Sequence, residues 1–288
     1  MMGKRFDTLL FPNHKAKAFT LSYDDGVIQD KKLIEILDKY QVKCTFNLNY
    51  GVLGYKNIIE NPDGTKLDIS KFDKNEVKQI YKNHEIGGHS LYHSSLTNVG
   101  TPLAMYEIIE DKVQLEKLIN KQLKIFAYPF GHYNNEIASL LKLAGYKAAR
   151  TVESTYSFEI PKDFMILNPT CHHNDPKLME LAKAFIDKPL FMPSLFYVWG
   201  HAYEFEHDNN YEVIENLLKY LANYEDQIWF ATNGEIIDYI NAYKSLEYSG
   251  DGSLIHNPSA LDVEILTSFN TSEIIKAGKT KRITQTEL

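Results

Sequence analysis

Along most of this chain, short apolar runs alternate with runs in which apolar residues recur at helical spacing. Residues 18–22 predict a buried strand. Residues 30–40 follow with Leu33, Ile34, Ile36 and Leu37 on one face, which predicts a helix. Residues 42–48 read as the next strand, closed by Asn47, Asn49 and Gly51. A polar excursion covers 52–72, with Pro62-Asp63-Gly64 as a turn signal. Further on, the pattern predicts helices over 76–82, 101–120, 136–143, 176–186, 211–222 and 235–243. Pro102 sits in the first turn of the second of these, and Gly145 stops the third. Between the helices, strands are predicted at 85–88, 125–128, 147–152, 165–168, 195–199 and 227–231.

Strand and helix in alternation imply a parallel sheet, because each crossover helix must carry the chain back to the same edge. Seven or so such units predict an α/β fold closed, or nearly closed, into a distorted barrel. Functional side chains of such barrels collect at the C-terminal ends of the strands. From residue 246 the texture changes: Gly250, Gly252, Asn257-Pro258 and Gly278 punctuate short runs such as 261–266. These predict β-hairpin pieces without helices. The expected organisation is therefore a barrel over 1–245 and a small β appendage over 246–288 packed on it.

Composition narrows the function. The chain has 288 residues and a net charge of −7 with no basic block, which speaks against nucleic acid. Arg5, Arg150 and Arg282 are its only arginines. Cys44 and Cys171, the only cysteines, make no disulfide framework, and Cys44 reads as a small buried hydrophobe. No apolar run approaches the roughly 18 residues of a membrane span. Residues 1–20 lack a continuous apolar stretch of the secretory type, so a cytoplasmic location is expected, although an exported protein without its signal would read the same. Asn270-Thr271-Ser272 matches a glycosylation acceptor, with nothing else in support.

The chemistry is concentrated in two short motifs. Ser22-Tyr23-Asp24-Asp25-Gly26 closes the first predicted strand, and His89-Ser90-Leu91-Tyr92-His93 follows the third. One carboxylate and two imidazoles suffice for a divalent cation with an open position, and the other carboxylate remains free to act as a base. A spacing of four predicts both imidazoles on one side of a helical turn, about 5–6 Å apart.

With these motifs the chain resembles the polysaccharide deacetylases, also called NodB-homology or carbohydrate esterase family 4 proteins, over roughly residues 16–244. The resemblance implies a seven-stranded (β/α) barrel and a metal-dependent deacetylase. It makes Asp24 the general base, Asp25, His89 and His93 the metal ligands, and His201, after residues 195–199, the general acid. Zinc is the default metal for such a donor set, with cobalt, nickel or manganese admitted. Ala127-Tyr128-Pro129-Phe130-Gly131 keeps the Pro-aromatic-Gly of the family's third motif, and the Phe130 N–H is expected to help bind the oxyanion. The arginine of that motif is absent, as is the later acidic element that holds it. Arg150, at the end of the next strand, is the candidate substitute, the bland alternative being a solvated strand-end cation. Tyr128 and Trp199 offer apolar faces for stacking a sugar, or belong to the core. His172 and His173 fall at another strand end without being expected as primary ligands, and His84 reads as structural.

Hydrolysis of an N-acetylated sugar, oligomer or polymer, is thus the first expectation. Two rivals stand beside it: a deacylase or deformylase acting on a small amide, and a non-catalytic carbohydrate-binding protein on a decayed deacetylase barrel. The expected partner is a carbohydrate or small amide substrate, with no nucleic acid and no membrane span, and the sequence leaves the oligomeric state open. The excursion 52–72 and the segment 202–210 are expected to shape the pocket.

Overall fold

Every residue of the strand Lys17–Asp24 is buried, on both faces, as befits the middle of a parallel sheet covered by helices. The computed structural model describes residues 7–60, 64–267 and 271–283. Pro62 and Asp63 of the expected turn, Arg5, and Asn270 lie outside the described residues. In chain order the strands are β1 (Thr8–Leu10), β2 (Lys17–Asp24), β3 (Thr45–Leu48), β4 (Ile58–Glu60), β5 (Lys66–Asp68), β6 (Glu85–Gly88), β7 (Ile125–Ala127), β8 (Ala148–Arg150), β9 (Cys171–His172), β10 (Ser194–His201), β11 (Ile228–Phe230), β12 (Glu247–Tyr248), β13 (Leu254–His256), β14 (Val263–Leu266), β15 (Ser272–Ile275) and β16 (Thr280–Arg282). The helices are α1 (Asp30–Lys39), α2 (Lys74–Ile80), α3 (Thr101–Ile119), α4 (Asn135–Leu143), α5 (Leu178–Ile186), α6 (Ala202–His207), α7 (Glu212–Ala222) and α8 (Asn233–Lys244).

The main sheet is parallel and runs β8-β7-β6-β3-β2-β10-β9. One edge of β2 is shared: β11 pairs with its first half, at Lys17–Phe19, and β3 with its second, at Ser22–Asp24. β10 runs the full length of the other edge, and that register sets His201 opposite Asp24. The segment 167–172 closes the ring between β8 and β10. Leu167 makes a single parallel bridge to Arg150, and Cys171 and His172 then pair with β10. The strand expected at 165–168 is accordingly corrected. Phe164–Ile166 is a 3-10 turn, and pairing with β10 begins three residues beyond the expected end, because this short segment serves both neighbours in succession.

Amphipathic helices cover the sheet. α7 buries Ile214, Leu217, Leu218 and Leu221, the i, i+3, i+4, i+7 stripe of a helix packed on one side. α5 does the same with Leu178, Leu181, Ala182 and Phe185. Cys44 is buried, and the His84 ring packs edge-on to Phe46 while its Nδ1 accepts the Cys44 N–H at 3.2 Å. No helix of the described residues is long and apolar enough to cross a membrane.

The excursion 52–72 contains an antiparallel hairpin, β4–β5. The C-terminal segment supplies β12–β16, but it does not fold on itself alone. β1 pairs antiparallel with β14, so the chain's first described strand sits in the appendage's sheet rather than in the barrel. A strand of three residues, Thr8-Leu9-Leu10, carries no periodicity that would announce this pairing.

Candidate metal centre and its surroundings

Strand β2 ends in a carboxylate enclosed by protein. Asp24 is 2% exposed, and its Oδ1 accepts from the Asn47 amide at 2.8 Å. The Arg150 guanidinium donates to its Oδ2. Burial pushes the Asp24 carboxyl upward, yet Arg150, His89 and His201, with the Asn47 amide, outweigh it and hold the group at about 2. Asp24 is therefore ionised throughout the neutral range.

Arg150 is fully buried and reaches Asp24 from β8. Its register partner on β7 is Ala127, the position at which the resembled motif carries arginine. The guanidinium has thus moved one strand sideways and still meets the aspartate. A second nitrogen donates to Thr151 O at 2.9 Å, and the planar group lies 4.4 Å over the Trp199 ring. The solvated-cation reading of Arg150 is excluded by this burial.

Asp25 has crossed into the loop, with φ at 82°, and its side chain turns toward two imidazoles. Its Oδ1 lies 3.7 Å from His93 Nε2 and 4.0 Å from His89 Nε2. His89 donates its Nδ1–H to Ala127 O at 2.8 Å, which leaves the Nε2 lone pair free. Burial lowers His89 to about 4, with His93 adding to it against Asp24 and Asp25, so the ring is neutral at working pH, as a ligand must be. Donor atoms of Asp25, His89 and His93 all fall within 4.8 Å of one another. The two carboxylate–imidazole separations are about 0.4 and 0.7 Å wider than the roughly 3.3 Å edges of tetrahedral zinc. One carboxylate, two neutral imidazoles and an open side fit a divalent cation.

The His-x-x-x-His pair does not sit on a helical turn. Ser90 and His93 both adopt left-handed backbone, at φ 65° and 58°, and the loop folds back to set the two rings 4.7 Å apart. Asn49 fixes this loop by donating to His89 O and to Ser90 O. Asp111 accepts the His89 N–H at 3.2 Å. With Asp25 at φ 82° and Phe130 at φ 59°, four non-glycine residues around the site hold backbone that L-residues rarely adopt. Strain of this kind persists where the surroundings over-determine it, often at functional positions.

Phe130 is 57% exposed and sets its ring edge-on to His93, 4.5 Å away. Tyr128 does not face the site. It is 1% exposed, and its hydroxyl donates to Met165 O at 2.9 Å, so the expected sugar-stacking role is corrected to a core one. Trp199 is largely buried as the platform beneath Arg150, with its edge near His172 and His201.

His201 ends β10 and opens α6, where Glu204 folds back on it: Nδ1 lies 3.1 Å from Glu204 Oε1. Burial lowers the His201 pKa, but Glu204, Asp24 and Asp25 prevail and raise it above its ordinary value. His172 and His173 also reach Glu204, at 3.1 and 3.2 Å. His172, His201 and Glu204 could in outline hold a second cation. The tautomer argues otherwise. Asn174 N–H donates to His172 Nδ1 at 3.2 Å, so that ring carries its proton on Nε2 and donates to Glu204. This cluster holds protons, and it leaves His201 Nε2 as the ring nitrogen free for other work.

Sequence reasoning missed Glu204, Lys71 and the bonding of Asn47. Glu204 had a signal, three residues after a histidine at a helix start. Lys71, whose Nζ is 3.7 Å from Asp25 Oδ1, had none.

Residues 12–149 match the polysaccharide deacetylases. The chain is 27% identical over 139 residues to the peptidoglycan-N-acetylglucosamine deacetylase of Bacillus cereus, covering 47% of this chain and 56% of that protein. It is 25% identical over 134 residues to the peptidoglycan-N-acetylmuramic acid deacetylase PdaC of Bacillus subtilis, covering 46% and 25%. The matches thus span about half the length of the first curated relative and a quarter of the second. A solved Mycobacterium smegmatis protein assigned to the polysaccharide deacetylases superposes with a TM-score of 0.58 at 14% identity, covering 82% of this chain and 94% of that one, a likeness of fold. The motifs, the curled parallel sheet and the match over 12–149, just under half of the chain, all point to the polysaccharide deacetylase family.

Proposed function

We propose that this protein hydrolyses the acetamide of an N-acetylated sugar, in an oligomer or polymer, with zinc held by Asp25, His89 and His93. One observation carries the reading: an ionised carboxylate, Asp24, is locked by Arg150 beside a separate carboxylate and two imidazoles. A binder has no use for that division between a clamped base and a free donor set. The relatives named for peptidoglycan amino sugars support the substrate class.

A bound divalent cation supplies polarisation of the acyl carbonyl and acidifies a water there. Asp24 removes the proton of the attacking water. Arg150 keeps Asp24 ionised and oriented. The Phe130 N–H is the donor assigned to the developing oxyanion. His201, whose protonated form Glu204 favours, gives its Nε2 proton to the nitrogen as the C–N bond breaks, which releases acetate and a free amine.

Acetate release from N-acetylglucosamine oligomers by the zinc-loaded enzyme tests the reading. Turnover of small amides alone would move the assignment to the rival hydrolase. A pH profile tests the acid. Because His201 is raised by Glu204, kcat/KM is expected to fall only as pH climbs past a value above the ordinary 6.5. Glu204→Gln removes the charge that favours the imidazolium, so the alkaline limb moves to lower pH. An unmoved limb rules out His201 as the acid held by Glu204.

A further inference from the structure

The excursion after β3 returns to the metal centre at Lys71. There the chain bridges to Val27, and Phe72 N–H donates to Gly26 O, which ties the segment to the loop that carries Asp25. Lys71 Nζ lies 3.7 Å from Asp25 Oδ1, and its side chain is 13% exposed. An ammonium so enclosed needs a counter-ion, and Asp25 provides it. The donor set assigns that same carboxylate to a divalent cation, which leaves one negative charge between a dication and an ammonium.

Two neighbouring carboxyls among the described residues are already engaged. Asp24 is bound to Arg150. Asp30, within electrostatic reach of both Lys71 and Asp25, accepts the Tyr81 hydroxyl on its Oδ2 at 2.6 Å, and burial pushes it up to about 8. We propose that Lys71 is a specificity-determining residue that receives an anionic substituent of the substrate, so that the enzyme favours an N-acylated sugar bearing a carboxylate next to the acylated nitrogen over a neutral one. This inference rests on the deacetylase reading above for its substrate class.

Calorimetry on the full chain carrying Asp24→Asn, loaded with zinc, separates binding from turnover. The probes are N-acetylmuramic acid and N-acetylglucosamine, which differ by a lactyl carboxylate. The acid is expected to bind roughly tenfold more tightly, as for a close charge pair in a recessed site. Lys71→Met in the same background erases that preference, and Lys71→Arg keeps most of it. Zinc itself binds roughly tenfold more tightly to Lys71→Met, since a positive charge beside Asp25 opposes the cation. Equal binding of the two sugars, a preference that survives Lys71→Met, or unchanged zinc affinity would each overturn the inference. A binding preference without acetate release from either sugar by the native enzyme defeats the deacetylase reading and leaves the role of Lys71 standing.

Discussion

Asp24→Asn is expected to lower kcat by about 10²–10⁴-fold, the range for removing a general base, with KM changed little. The variant should fold. The amide keeps an oxygen for Arg150, and the Asn47 amide, whose Oδ1 has no hydrogen-bond partner, can turn to meet the new N–H₂. Zinc stoichiometry should persist, because the donor set uses Asp25 and not Asp24. Acetate release under saturating substrate, read beside metal content, checks both. Full activity would place the base elsewhere and would revive the carbohydrate-binding or small-amide alternatives. A loss of zinc together with activity would make Asp24 a ligand.

Arg150→Met is expected to damage stability as well as activity. Removing the guanidinium strands a buried carboxylate, which costs about 3–5 kcal/mol when one partner of a buried pair is lost. Lysine would not substitute, since the planar group also stacks on Trp199 and donates to Thr151 O. The pH dependence follows from the direction of the Asp24 shift. In the native protein the carboxyl is held at about 2, below its unfolded value near 4, so the pair's contribution is present above pH 4 and lost on descent toward 2. In the variant, burial dominates and raises the carboxyl. Protonation then relieves the stranded charge, and the stability deficit narrows as pH falls from 7. Denaturant melts of both proteins across pH 4–7 measure this. The acid limb of kcat/KM should move upward in the variant. A deficit independent of pH would show that Arg150 acts through packing alone.

Much of this site was legible because its chemistry is local. Asp24 and Asp25 close an apolar strand, and His89 and His93 stand four residues apart after another, so motif and strand end coincide without any knowledge of contacts. The alternation of strand and helix was equally readable, since covered parallel strands are apolar throughout and each helix carries one apolar stripe.

What escaped depends on register and on backbone that periodicity cannot see. That Arg150 replaces an arginine missing at position 127 follows from the pairing of Ala127 with Arg150 across two strands, which no single run encodes. Spacing of four suggested a helical turn for the histidines, but the segment after β6 is not helical. The left-handed residues Ser90 and His93 turn the loop back instead. Tyr128 precedes a motif proline and looks like a site residue in sequence, yet its hydroxyl is anchored to Met165 O, in a turn from a distant part of the chain. Lys71 sits in a polar stretch where one lysine resembles any other until the hairpin folds over.

Titration of the metal-free protein with zinc, alongside Asp25→Ala, His93→Ala and Asp24→Asn, reaches the central claim most directly. The account predicts one zinc per native chain, retained in Asp24→Asn and lost in Asp25→Ala and His93→Ala. Zinc that still binds stoichiometrically to the latter two, or that disappears with Asp24, would contradict it.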